Sequence, residues 1–160
     1  MANTSGERTT PTGLFHFAES YRTCAESLMR SPPKSLRFED PMWFLAYHAL
    51  ELYLKSFLLH HGSSLNDLRL RYRHSLAKLW EAAKTGGIVI ATDPGQLLQY
   101  LDEGGLIAHR YIVTGAQQRP DPQQVMELLE ALRVAVLIDL QSGGAMVRFE
   151  DHALNGWSRD

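Results

Sequence analysis

The sequence has little of several features that would narrow its function at once. Its 160 residues include a single cysteine, Cys24, which excludes an internal disulfide and a zinc site built from several cysteines. The net charge is only −2, so the chain is not a strongly basic nucleic-acid binder overall, although a local basic patch stays open. It also lacks a Walker A loop and the GxGxxG, HExxH and GxSxG motifs. No common catalytic or nucleotide-binding motif therefore assigns its chemistry.

The chain also lacks a recognisable targeting or membrane segment. Its first residues, MANTSGERTTPTG, contain no apolar stretch of the kind that a signal peptide has. The apolar run from Met42 to Leu59 carries His48, Glu51 and Lys55 near its middle, and one such charge costs about 2.5–3.5 kcal/mol at the centre of a membrane span. We therefore expect a soluble cytoplasmic protein without membrane contact, in which Cys24 is a small buried residue on the apolar stripe of the first helix.

The most informative segment that is present runs from Asp40 to Gly62. Asp40 and Pro41 predict the N-cap and first position of a helix, and Gly62 predicts its end. Apolar side chains project in nearly every direction, and only His48, Glu51 and Lys55 form a narrow polar stripe. A helix of this kind must be buried almost all round. We expect the greatest burial at Trp43, Leu50, Leu54, Phe57 and Leu58.

The rest of the chain predicts an all-α, up-and-down bundle of about five helices. Residues 1–13 are expected to be flexible, residues 14–142 to form the bundle and residues 143–160 to form a C-terminal arm. Residues 63–73 are interpreted as a polar connection, and Asp121-Pro122 repeats the N-cap and proline pattern at the start of the last helix. The predicted helices cover residues 14–30, 40–61, 74–84, about 92–104 and about 121–141.

The connection before the third helix is the first candidate binding segment. Arg69, Arg71 and Arg73 alternate there and are followed by His74. These residues are either a solvated loop or a cradle for an anion such as phosphate, to which the free N–H groups of the helix start would add. His74 itself has an alternative role as a structural cap or packing residue.

A second candidate segment follows the glycines at 104 and 105. His109, Arg110 and Tyr111 form a set suited to proton transfer or nucleotide contact, with a loop-anchoring histidine as the alternative. Elsewhere, Glu51 and Lys55 are either helix support worth about 0.2–0.5 kcal/mol or a charged stripe in a groove. Adjacent helical residues point about 100° apart, so His60 and His61 are not expected to bind a metal. We predict no metal and no cofactor.

The segment AYHALELYLKSFLLHHG resembles the second helix of HEPN domains (higher eukaryotes and prokaryotes nucleotide-binding). A small residue, Leu and Glu precede Tyr-Leu-Lys in that family, and the same residues stand here at Ala49, Leu50, Glu51, Tyr53, Leu54 and Lys55. The segment RHSLAKLWEAA is similar to the family's short helix, which opens with a histidine followed by leucines: His74, Leu76 and Leu79. The resemblance is specific over Ala49–Leu79 and follows the element order from about Phe15 to Leu140.

This resemblance implies a small helical bundle that forms homodimers and binds a nucleotide, RNA or a partner protein. It also implies a nucleotidyltransferase or an antitoxin as a partner, in a toxin–antitoxin or defence system. A dimer agrees with the apolar circumference of the second helix and with the prevalence of symmetric dimers. A purely structural interaction domain is the plainest alternative.

Catalytic members of the family are metal-independent ribonucleases that use an arginine, a polar residue, three further residues and a histidine. His109 takes the histidine position of this pattern and would be the general acid or base in a site shared between two subunits. Gly104 and Gly105 take the arginine and polar positions, which favours a non-catalytic binding module. Arg69 and His74 have the same formal spacing but lie ahead of the third helix.

Overall fold

The computed structural model describes residues 9–34, 39–104 and 119–147. These residues form α-helices and one short π-helical segment, and no β-strand occurs among them. In chain order they are α1 (Pro11–Arg30), α2 (Glu39–His60), the π segment (Asp67–Tyr72), α3 (Leu76–Thr85), α4 (Gly95–Gly104) and α5 (Pro122–Ser142). The prediction of an all-α helical bundle is confirmed.

Helix α2 ends as the sequence predicts but begins differently. Gly62 has a φ of +87°, and its N–H donates to the Leu59 carbonyl at 3.2 Å, while the Ser63 N–H donates to the Leu58 carbonyl at 2.9 Å. This pair of bonds is the Schellman motif, which favours glycine at the left-handed position. The N-cap prediction for Asp40 is wrong, because α2 starts one residue earlier and Asp40 lies in its first turn.

The bundle begins slightly before its predicted boundary. The Thr10 hydroxyl accepts a hydrogen bond from the Gly13 N–H at 3.0 Å, so α1 starts at Pro11 rather than at residue 14. At the other end α5 stops at Ser142, close to the predicted position, and Ala145 and Val147 still pack against the core. Residues 1–8 and 148–160 lie outside the described part of the chain.

The connection after α2 is more ordered than the sequence interpretation allowed. Residues 67–72 form a π turn, which the Arg73 N–H closes by donating to the Leu68 carbonyl at 3.1 Å. Leu68 is buried, and Leu65 and Tyr72 pack partly against the core. Their spacing of three and four residues is a helical pattern that the arginines between them obscure.

Helix α1 runs antiparallel to α2. The Ser56 hydroxyl near the end of α2 donates to the Pro11 carbonyl at the start of α1 at 2.8 Å. Farther along, the rings of Phe15 and Tyr53 meet edge to face with centroids 5.5 Å apart. The interface between α1 and α2 is the largest between helices of the described residues, and it joins two helices that are consecutive in the sequence.

Helix α5 runs in the same direction as α2. Arg119, just before α5, forms an ion pair with Asp40 in the first turn of α2. At the opposite end, Asp139 accepts a hydrogen bond from the His61 ring at 3.0 Å. α2 therefore lies in the centre of the bundle, in contact with α1, α3 and α5.

The predicted core of α2 is confirmed. The five residues expected to be most buried are at most 4% exposed: Trp43, Leu50, Leu54, Phe57 and Leu58. One chain covers these side chains, so the apolar circumference of α2 does not itself require a second subunit, and the homodimer stays a prediction. Within the described residues, no helix has the length and apolar composition needed to span a membrane.

The prediction that Cys24 is buried is wrong. Cys24 is exposed on α1. The core-facing stripe of this helix runs through Phe15, Ala18 and Ala25, and one helical residue turns the chain by about 100°. Cys24 therefore lies beside the stripe instead of on it.

Candidate functional site

The polar stripe of α2 is the centre of a buried ion cluster. Glu51 is 2% exposed, and its Oε1 lies 2.5 Å from the Lys55 ammonium and 3.1 Å from His74 Nδ1. His74 reaches the carboxylate from the turn that leads into α3. We call Glu51, Lys55, His74 and the neighbouring His48 the Glu51 cluster. The i, i+4 pair of Glu51 and Lys55 forms as the helix-support interpretation predicts, whereas a charged stripe exposed in a groove is wrong, since the carboxylate is buried.

His48 completes the cluster without a direct hydrogen bond. Its Nδ1 lies 3.8 Å from Glu51 Oε2, and the ring packs edge-on to Tyr21 and parallel to Phe44. This nitrogen is buried and has no hydrogen-bond partner among the described residues. His48 therefore lies beside Glu51 in a position fixed by the rings of Tyr21 and Phe44.

The charge of Glu51 is maintained by these neighbours. Burial by itself would raise the pKa of the Glu51 carboxyl, because a buried charge loses hydration. The imidazole of His48, the ammonium of Lys55 and the imidazole of His74 outweigh this effect and lower the pKa to about 2. Glu51 is therefore an anion throughout the neutral range.

Glu51 also fixes the orientation of His74. Contact with the carboxylate through Nδ1 makes that nitrogen the donor, which leaves Nε2 as the nitrogen available to a ligand. The His74 side chain is 42% exposed, and Nε2 has no hydrogen bond among the described residues. Nε2 of such an imidazole donates to a phosphate oxygen when it carries a proton and accepts a proton from a substrate when it does not.

The three arginines lie beside His74 on the π segment and the following turn. All are exposed, and within the described residues none has a carboxylate oxygen within 4 Å. The guanidinium carbon of Arg71 lies 5.4 Å from the centroid of the Tyr72 ring. Arg73 has a φ of +53°, which is uncommon for a residue with a side chain, at the turn that directs His74 towards Glu51. We call Arg69, Arg71, Arg73 and His74 the basic segment.

The start of α3 is not open to an anion in the way that the sequence suggested. Asp102, near the end of α4, accepts hydrogen bonds from the Ser75 hydroxyl and from the N–H groups of Leu76 and Ala77, at 2.8–3.0 Å. The Ser75 hydroxyl in turn accepts from the Lys78 N–H at 3.3 Å. The expectation of free helix N–H groups is therefore wrong, and any anion site here depends on side chains of the basic segment.

The second predicted segment cannot be compared with the first. His109, Arg110 and Tyr111 lie outside the described residues, as does Gly105, while Gly104 is the last residue of α4. Their roles in catalysis and in nucleotide or RNA binding stay predictions.

The two histidines at the end of α2 link two helices. His61 Nε2 lies 3.0 Å and His60 Nε2 4.0 Å from the Asp139 carboxylate of α5. This tertiary partner was not predicted. Among the described residues, no three His, Cys, Asp or Glu side chains are grouped so as to hold a metal ion.

Comparisons of the chain with protein-family models, curated proteins and solved structures find no match. The HEPN resemblance therefore depends on the sequence alone, chiefly on the residues of Ala49–Leu79.

Proposed function

We propose that this chain is a HEPN-like helical module that binds RNA through the basic segment and does not cleave it. The observation that carries the proposal is a run of three exposed arginines directly ahead, in the chain, of a histidine whose orientation Glu51 fixes. Arginine is suited to phosphate because its planar fork can donate two hydrogen bonds at once. Arg110 and Tyr111 of the second predicted segment are proposed to extend the same surface.

The side chains proposed to bind RNA are carried by a part of the chain that is anchored to the bundle. The π segment is anchored by Leu68 in the core, and His74 is anchored by Glu51. Preorganised side chains lose less conformational freedom on binding than free loops do. A homodimer and a nucleotidyltransferase or antitoxin partner belong to the same proposal, on the strength of the family resemblance alone.

The test is RNA affinity as a function of salt. We expect wild-type protein to bind a fluorescent single-stranded RNA with an affinity that falls as salt rises, because phosphate contacts release counterions. Replacing Arg69, Arg71 and Arg73 with glutamine should reduce the slope of log K against log salt by about 0.7 for each phosphate that the variant no longer binds. Fluorescence anisotropy at several salt concentrations measures both quantities.

A matched control comes from α1. Arg30 ends that helix with 76% of its side chain exposed, and Arg30→Gln removes the same charge outside the basic segment. This variant should bind as wild type does, whereas Arg71→Gln should not. RNA binding that is independent of salt, or equal losses in the two variants, would place the site elsewhere.

A second candidate function is RNA cleavage, because the Glu51–His74 pair has the geometry of an oriented acid–base group. Gly104 at the family's arginine position argues against catalysis at His109, since loss of a preorganised charge donor typically costs about 10²–10³ in rate. We expect no single-turnover cleavage of a mixed RNA by metal-free protein. Cleavage that His109→Ala abolishes would assign an enzyme with the predicted catalytic residue, and cleavage that only His74→Ala abolishes would assign the described pair.

A further inference from the structure

A groove lies beside the basic segment, between the end of α2, the π segment and α3. Its volume is about 840 Å³, within the range of pockets that hold small organic groups. Leu58 and Ala82 line its apolar part, and Arg71, Tyr72, Lys78 and His61 line its polar part. We call it the α2–α3 groove.

The groove is lined by a guanidinium group and an aromatic ring that lie in contact. Arg71 lies over the Tyr72 ring, with the guanidinium carbon 5.4 Å from the ring centroid. Tyr72 packs partly against the core, which holds the ring in place beside Arg71. Planar guanidinium and aromatic groups are the surfaces on which proteins stack nucleic-acid bases.

The charges around the groove favour a phosphate. Within the described residues, Arg71 and Lys78 have no carboxylate oxygen within 4 Å. Asp67, one helical turn before Arg71, offsets part of the Arg71 charge from a longer distance. Glu81 also lines the groove, but its carboxylate lies 2.7 Å from the Lys84 ammonium. His61 is held by Asp139 at 3.0 Å. Arg71 and Lys78 thus place two positive charges beside the apolar residues Leu58 and Ala82.

From this arrangement we propose that the α2–α3 groove receives one unstacked RNA base on the Arg71–Tyr72 surface, with the adjoining phosphate at Lys78. The proposal rests on the RNA-binding function proposed above and goes further, because it assigns base stacking as well as phosphate contact. Arg71 belongs both to the basic segment and to the lining of the groove, and it therefore links the two. Duplex RNA keeps its bases paired inside the helix and cannot fill the groove.

The experiment compares three RNAs on unaltered protein: a uridine-rich single strand, the same strand with abasic sites, and a duplex of the same length. Stacking of one base predicts about 5- to 150-fold tighter binding of the intact strand than of the abasic strand. The salt slope should be equal for these two strands, because they carry the same phosphates. The duplex should bind about as weakly as the abasic strand.

Two variants at one position locate the effect in the groove. Tyr72→Ala should lose the preference for the intact strand, and Tyr72→Phe should keep it, because the ring and not the hydroxyl supports the base. Equal affinity of wild type for intact and abasic strands overturns the base site while leaving RNA binding in place. Failure of all three RNAs to bind overturns the proposed function together with this inference.

Discussion

Leu54→Ala is expected to lower the free energy of unfolding by about 2–5 kcal/mol. Leu54 is fully buried in α2, the helix that contacts α1, α3 and α5. Truncation removes apolar contacts and leaves a cavity that rigid neighbouring helices fill only in part. Urea unfolding followed by circular dichroism measures the change.

Leu70 provides the matched control for this substitution. It is also a leucine on a helical element, the π segment, but it is 77% exposed. Leu70→Ala should change the unfolding free energy by less than about 0.5 kcal/mol, as surface substitutions usually do. A decrease below about 0.5 kcal/mol for Leu54→Ala would contradict the central position of α2.

Much of the fold could be predicted because it depends on local signals. Gly62 predicts the end of α2 since few other residues adopt its φ of +87° without strain. The burial of Trp43 and Leu50 follows from a helix that has almost no polar face. The prediction for Cys24 is wrong because Cys24 and Ala25 are neighbours in the chain. Apolar spacing alone does not decide which of the two faces the core, and the structure buries Ala25.

Less of the candidate site could be predicted, because its contacts join residues far apart in sequence. Glu51 and His74 are 23 positions apart, and they meet only because the chain folds back through the π segment and turns at Arg73. Asp102 occupies the start of α3 from 25 to 27 positions away. No local pattern encodes such pairings, although a glutamate on an otherwise apolar helix indicates that a buried partner is needed.

Lys55→Met is the second substitution with a large expected effect. It removes the cation nearest to Glu51 and keeps most of the side-chain volume, so a buried carboxylate is left with two histidines. Breaking a buried ion pair from one side typically costs about 3–5 kcal/mol, because the remaining charge is not compensated. We expect the unfolding free energy at pH 7 to fall by about 3 kcal/mol, measured by urea unfolding.

The control is the same substitution in an exposed ion pair. Lys84 lies 2.7 Å from Glu81 on the surface, where solvent screens the two charges and the pair contributes little to stability. Lys84→Met should therefore change stability little. Adding Glu51→Leu to Lys55→Met should recover most of the missing stability, because the uncompensated charge is then gone.

The pH dependence separates loss of charge compensation from loss of packing. In wild type the folded pKa of Glu51 is about 2, below its ordinary value of 4.5, so the stability that this group contributes is present above pH 4.5 and is lost as pH falls towards 2. Lys55→Met removes two of the interactions that lower the pKa of Glu51, so this pKa is higher in the variant than in wild type. The variant should therefore lose less stability than wild type on acidification, and the difference of about 3 kcal/mol in unfolding free energy between the two proteins should narrow as pH falls towards about 2. A packing defect would leave the gap constant with pH, and that result would show that Lys55 does not hold Glu51 in its charged form.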